Sequence, residues 1–227
     1  MEPALISLLA ASIAFTGGHF AMSHPLRDPM VRTFGEKGFL GVYSILILAA
    51  FAWMALAFRT AQGGAPAWNG SSHAAWAAAS LLTLVALVLF FGALKGNPAL
   101  PDTPVEKIAA QQAHGVFKVT RHPMMWGFAL WAVAHILVMP TARTVILAGA
   151  ILILALVGAH LQDRRKQAAL GPAWAHWEAQ TSYWPHWSRL ARTSPALWIA
   201  AVLAWLGVTW AHLYLAGIAA GIWLWVK

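Results

Sequence analysis

Six apolar runs alternate with short polar segments along the chain, and each is close to the length that crosses a membrane as a helix. Because a helix rises about 1.5 Å per residue, about 20 apolar residues span a hydrocarbon core of about 30 Å. The predicted spans are 3–22, 39–58, 74–94, 123–140, 144–162 and 196–213. We therefore expect an all-α integral membrane bundle of about six transmembrane helices in the lipid bilayer, with residues 1–227 forming one domain.

The two ends of the chain need separate interpretation. The first run, 3–22, has no basic residues ahead of it and no Ala-x-Ala cleavage site leading into a soluble domain, so it is interpreted as a retained helix. The last apolar tail, 213–226, contains Gly217 and Gly221. Two alternatives remain for this tail, an extension of the sixth helix or a segment lying in the membrane interface.

Composition supports the membrane class and excludes several kinds of chemistry. The chain is 60% hydrophobic and 10% charged, whereas soluble domains are about 45–50% and about 25%. It has no Cys, which excludes disulfides, thiolate metal sites and thiol nucleophiles. The Asp and Glu residues fall in loops or at span ends, which argues against carboxylate-bound zinc, iron or manganese inside the bundle.

The basic residues predict the orientation of the chain. They follow the first, third and fifth spans, and only Arg59, Arg143 and Lys227 fall elsewhere. The positive-inside rule therefore places those three loops in the cytoplasm and both termini outside. Contact with anionic lipid accounts for the formal net charge of +8, so no nucleic-acid partner is expected. The segment of about 163–194 mixes Arg and Lys with Trp and is predicted to be an amphipathic cytoplasmic segment in the headgroup layer.

Two of the 10 histidines have the most informative positions. His19 lies in the last third of the first span, after the small residues Gly17 and Gly18, which let a backbone or a flat ligand approach closely. Two interpretations remain for it, a helix–helix hydrogen bond and a ligand role. His135 lies about 18 Å along the helix that starts at Pro123, past the middle of the hydrocarbon core, where a functional role is the default hypothesis.

His160 and His212 also lie near membrane depth, but closer to the ends of their spans. A structural role is expected for both. For His160 the neighbouring Asp163 is a candidate partner.

The helix around His135 suggests what it binds. Met124, Phe128, Trp131 and Ala132 fall near its face at helical spacing. This flat and apolar lining suits a planar cofactor or a polyene better than a hydrated ion. Two neutral imidazoles from different helices are a sufficient axial set for haem b, since the porphyrin supplies the other four nitrogens. The cations considered for the haem propionates are Arg27, Arg32, Lys118 and Arg121.

Several segments together resemble the NnrU family, which includes plant zeta-carotene isomerase. They are Gly17-Gly18-His19-Phe20, Arg27, 34–39, 115–127, 130–135 and Asp163-Arg164-Arg165, and the resemblance extends from about residue 5 to residue 190. It implies a multi-helix protein of the bacterial inner membrane that, like the isomerase branch, binds haem b through two histidines, here His19 and His135. That branch has a Cys where this chain has Ala132, so a His/Cys ligand switch cannot operate here. Bacterial members of the family are associated with denitrification.

A second resemblance is to the isoprenylcysteine and phospholipid methyltransferases, which bind S-adenosylmethionine. Arg121-His122-Pro123 and 170–177 carry it. Those enzymes usually have Arg-His-Pro-x-Tyr and a pair of acids at the end of the next helix. This chain has Trp126 and Asp163-Arg164-Arg165 at those places.

The expected function is that of a haem b-binding membrane protein of the NnrU type. If it is an enzyme, the hypothesis is haem-dependent cis-trans isomerisation of a lipophilic polyene. The expected cofactor-binding residues are His19, His135, Arg27, Lys118, Arg121, Phe128 and Trp131, with His19 and His135 as metal ligands. The alternatives are a non-catalytic haem or redox accessory of nitrogen-oxide metabolism, and a membrane methyltransferase.

Overall fold

The computed structural model describes residues 2–99 and 103–226, and this part of the chain is helical with no strand. The α-helices are α1 Pro3–Ser23, α2 Arg27–Thr60, α3 His73–Gly92, α4 Val105–Ala110, α5 Pro123–Val138, α6 Ala142–Leu170, α7 Pro172–Gln180 and α8 Pro195–Leu215. Short 3-10 helices lie at Gly115–Lys118, Trp187–Arg192 and Gly221–Leu224. Lys227, predicted on the outer side, lies outside the described residues.

The helix lengths confirm an all-α integral membrane protein. Among the described residues, α1, α2, α3, α6 and α8 are long and apolar enough to cross a membrane. The fourth predicted span is the apolar helix α5, whose 16 residues extend about 24 Å. It ends early because Met139 precedes Pro140, and the residue before a proline disfavours helical backbone. Five helices therefore reach spanning length where about six were expected.

Two helix boundaries differ from the prediction, the start of α2 and the end of α6. α2 begins at Arg27, inside the predicted first loop, and is kinked at Gly35, which has a φ of 69°. α6 continues to Leu170, so the predicted amphipathic segment starts as the last turns of a spanning helix. Gly171, with a φ of 47°, then ends α6, and Pro172 occupies the first turn of α7.

The C-terminal tail turns back after α8 instead of extending it. α8 ends at Leu215, and Gly217 follows with a φ of 65°. The Trp223 indole then donates a hydrogen bond to the Leu206 carbonyl at 3.2 Å. A Cβ at Gly221 would lie 2.8 Å from the Trp205 ring, so only glycine fits this close approach.

The described chain forms two compact units. The first consists of the residues up to Gly70 together with His135–Leu154. The second consists of Ser71–Ala134 together with the residues from Ala155 onward. In the first unit, α1 and α2 pack antiparallel, and their buried contact includes Leu8, Ala11, Met54 and Ala57. The core of the second unit includes the fully buried side chains Phe117, Trp174, Trp177, Val88 and Leu89.

Candidate functional site

His19 is held between α1 and α2 by a specific hydrogen bond. Its Nδ1 lies 2.6 Å from the Tyr43 hydroxyl, and the Phe15 ring packs edge-on against the imidazole at 4.8 Å. With Nδ1 engaged, the chemically available atom of the ring is Nε2. Ligand histidines in metalloproteins are oriented in this way, with the second nitrogen bonded to a fixed partner that sets the tautomer. The helix–helix hydrogen bond and the ligand role, posed as alternatives by the sequence, are therefore compatible.

Aromatic contacts connect His19 to Arg27. Tyr43 packs against Phe39 with a centroid distance of 5.7 Å, and the Arg27 guanidinium lies 5.4 Å from the centroid of the Phe39 ring. Arg27 also pairs with Glu36 at 2.5 Å, and both side chains are substantially exposed to solvent. An exposed pair of this kind contributes about 0–1 kcal/mol, so a carboxylate ligand would exchange with Glu36 at low cost. Arg27, like Arg32, is a predicted propionate partner in the same unit as His19, and these aromatic contacts connect it to His19.

His135 lies near the opposite end of the first unit. It is in the last turn of α5, where the Trp68 indole donates to the Leu137 carbonyl at 3.0 Å and the Ala67 amide donates to the Pro140 carbonyl at 2.9 Å. The loop that makes these contacts follows α2 directly. His135 therefore lies at the end of the unit where α2 and α5 finish and α6 begins.

The helix register separates His19 and His135 in depth. α1 also starts at this end of the unit. The hydrogen bond from the Gln62 amide to the Glu2 carboxylate, at 3.2 Å, shows this. His19 is 16 residues beyond Pro3, whereas His135 is only three residues before Val138. At about 1.5 Å per residue, and with Thr16 bonded to Ala150, the backbone positions of the two histidines differ in depth by roughly 12–20 Å along the helix axes.

That difference in depth bears on whether the two can share one iron. A metal–imidazole bond is about 2 Å long, so two axial nitrogens lie about 4 Å from each other. Each histidine remains a predicted haem ligand.

The predicted cation Arg121 lies in a buried network in the second unit. Its Nε donates to Asp163 at 2.7 Å, and its Nη2 pairs with Glu178 at 3.2 Å. His122 Nε2 donates to the second Asp163 oxygen at 2.8 Å. Because Arg121 already has two carboxylate partners and is 14% exposed, a propionate would have to displace one of them. The structure gives Arg121 a role in holding α6 and α7 to the segment before α5.

Tyr183 belongs to the same network and was not selected from the sequence. Its hydroxyl donates to the Leu156 carbonyl at 2.7 Å, and its own carbonyl accepts from the Trp126 indole at 2.9 Å. Burial, followed by the nearby Asp163 carboxylate, raises the pKa of the Tyr183 phenol. The phenol therefore stays protonated and remains a hydrogen-bond donor at physiological pH. No local sequence signal indicates this, since Tyr183 is 20 residues from Asp163.

The other residues predicted to contact the cofactor, Lys118, Phe128 and Trp131, lie in the second unit. Lys118 has an exposed side chain and accepts from Arg189 only through its carbonyl, at 3.1 Å. Phe128 is 39% exposed and packs edge-on against Phe90 at 5.7 Å. Trp131 is half-buried on the same helix as Phe128. The part of the chain that the structure describes holds no group of three or more His, Cys, Asp or Glu side chains suited to a metal ion.

The remaining membrane-depth histidines have local contacts. The predicted pairing of His160 with Asp163 is wrong, because Asp163 bonds Arg121 and His122 instead, and the His160 ring lies edge-on to Tyr183 at 6.4 Å. The His212 Nδ1–H donates to the Val208 carbonyl one turn earlier at 2.8 Å. This contact agrees with the structural role expected for His212.

Comparison with known proteins gives the family. No curated protein and no solved structure matches the chain. The family model described as NnrU protein matches residues 7–220. This range includes every α-helix from α2 to α8 and most of α1. The chain therefore belongs to the NnrU family.

Proposed function

We propose that this NnrU protein binds haem b through His19 as an axial ligand. The observation that carries the proposal is the hydrogen bond between His19 Nδ1 and Tyr43, at 2.6 Å. In the tautomer required for ligation, Nδ1–H donates to the Tyr43 oxygen, and the Nε2 lone pair is available for a metal. Haem b, when bound, supplies a redox-active iron whose potential depends on its axial ligand and on nearby hydrogen bonds.

Arg27 is the residue proposed to meet a propionate. Arg27 contacts the Phe39 ring, which packs against Tyr43, the hydrogen-bond partner of His19. The present ion-pair partner of Arg27, Glu36, is exposed. Arg27 lies at the start of α2, four residues after α1 ends. A propionate there would be near the membrane surface, where a charged group is cheaper to place than in hydrocarbon.

The register also bears on the choice between an isomerase and a redox accessory. A non-catalytic electron carrier would need a stable iron with two histidine ligands, and His135 lies at a different depth from His19 along the helix axes. An isomerase needs an iron position that a polyene can approach. The geometry therefore favours the proposed haem-dependent cis-trans isomerase of a lipophilic polyene over the accessory of nitrogen-oxide metabolism. The proposed location is the bacterial inner membrane, and the proposed orientation has both termini outside.

The methyltransferase alternative is less favoured by the structure. It requires Arg121 and His122 to receive a cofactor at the cytoplasmic surface, but both side chains bond Asp163, and Arg121 also bonds Glu178. Binding a cofactor carboxylate there would mean breaking a buried ion pair.

Replacing Tyr43 with phenylalanine tests the proposal. We expect Tyr43→Phe to weaken haem binding about 10–100-fold, because the imidazole loses the partner that fixes its tautomer. The measurement is a haemin titration of purified protein, followed by absorbance in the Soret region. Tyr214→Phe is the matched control, since Tyr214 lies on α8 and is 71% exposed. Equal affinities for the two variants, or no Soret complex with the unaltered protein, would contradict the proposal.

A further inference from the structure

A groove between α1 and α6 in the first unit has the properties of a ligand site. Its cavity has a volume of about 370 Å³ and a lining that is almost wholly apolar, including Leu9, Ile13, Phe20 and Ile146. Gly17 and Gly149 also line it, and a Cβ on either would meet no atom within 4 Å. Volumes of this order are typical of sites for small organic ligands.

The groove contains one hydroxyl that the described protein does not satisfy. Thr16 and Ser12 both line it, but Thr16 donates to the Ala150 carbonyl at 3.3 Å. Ser12 is 3% exposed, and its Oγ has no hydrogen-bond partner among the described residues. A buried hydroxyl without a partner is costly, and in native structures such groups are bonded by other protein groups, by ordered water or by a bound molecule.

The depth of Ser12 restricts the chemistry of that molecule. Ser12 is nine residues beyond Pro3 in a helix of 21 residues, which places it about 14 Å along a helix of about 31 Å. This is near the middle of a hydrocarbon core of about 30 Å. Phospholipid headgroups and ester carbonyls lie at the interface, so an ordinary acyl chain offers no oxygen at this depth.

The groove runs along α1. Its lining on this helix extends from Leu9 to Phe20, a length of about 17 Å. One extended hydrocarbon chain, or the edge of a flat ring, fits along this length.

We propose that this groove binds one molecule of a membrane-soluble carbonyl compound, a quinone or long-chain ketone, whose oxygen accepts a hydrogen bond from Ser12 Oγ. The apolar walls bind the ring or chain, and Ser12 fixes its depth. This inference does not depend on haem, because it uses the α6-facing side of α1, whereas His19 bonds Tyr43 on α2.

The test uses a decyl-substituted benzoquinone as the probe. Equilibrium binding of the radiolabelled probe to purified full-length protein is measured, with decylbenzene, which lacks oxygen, as an unlabelled competitor. We expect saturable binding of one molecule per chain, and binding about tenfold weaker for Ser12→Ala because one hydrogen bond is lost. Gly149→Leu should abolish binding by filling the groove, and decylbenzene should compete poorly.

Two controls keep the outcome interpretable. Gly207→Leu, at a position on α8 where a Cβ is equally unobstructed, should bind the probe like the unaltered protein. The probe should also raise the Tm of the unaltered protein and leave that of Gly149→Leu unchanged. Unsaturable uptake, equal binding by Ser12→Ala and the unaltered chain, or equally strong competition by decylbenzene would each overturn the proposal.

Discussion

Replacing Asp163 with alanine is expected to lower the free energy of unfolding by about 3–5 kcal/mol. The Asp163 carboxylate bonds Arg121 at 2.7 Å and His122 at 2.8 Å, and its side chain is 7% exposed. Removing it leaves a buried guanidinium whose remaining carboxylate partner among the described residues is Glu178, and a buried imidazole without its acceptor. The measurement is denaturant unfolding of the purified protein in mixed micelles.

The same experiment separates this effect from a general loss of charge. Glu36→Ala removes one member of the exposed pair with Arg27 and should cost about 1 kcal/mol or less. Asp163→Asn keeps the shape of the side chain and one acceptor oxygen, so its cost should lie between the two. If Asp163→Ala and Glu36→Ala cost the same, the network does not stabilise the second unit.

Replacing Trp177 with alanine is expected to cost about 3–5 kcal/mol, because it leaves a cavity in the core of the second unit. Trp177 is fully buried and packs edge-on against Phe117 with a centroid distance of 5.6 Å. Its indole N–H has no hydrogen-bond partner in the described chain. Since a buried donor without a partner costs about 1–3 kcal/mol, Trp177→Phe should recover most of the stability that Trp177→Ala loses.

An exposed tryptophan provides the comparison. Trp184 is 67% exposed, and its ring packs against the rings of Tyr183 and Trp126. Trp184→Ala should therefore cost about 1 kcal/mol or less. Thermal unfolding of the three variants gives the ranking, and a Trp177→Phe variant as unstable as Trp177→Ala would show that the indole N–H makes a necessary bond.

The helices were predictable because membrane-spanning runs are encoded locally. Apolar length alone located the segments that became α1, α3 and α8, and Pro123 marked the start of α5. The boundaries that differ depend on backbone conformation at single glycines. The kink at Gly35 and the break at Gly171 require positive φ values, which hydropathy does not report.

The partners of the candidate residues were less predictable because they are distant in sequence. Tyr43 is 24 residues from His19, and Asp163 is 41 residues from His122. Hydropathy identified His19 as unusual, but only the packing of helices shows that its Nδ1 is already bonded. The separation of His19 from His135 likewise follows from which helix ends meet, as shown by the contact of Gln62 with Glu2.

The ferric electron paramagnetic resonance spectrum of the haem-loaded protein tests the central claim most directly. The proposal assigns one axial ligand to His19 and does not place His135 on the same iron. We expect His19→Ala to lose the haem or to change its spectrum completely, and His135→Ala to retain both the haem and the spectrum of the unaltered protein. A low-spin spectrum typical of two imidazoles that disappears equally in His19→Ala and His135→Ala would contradict the account.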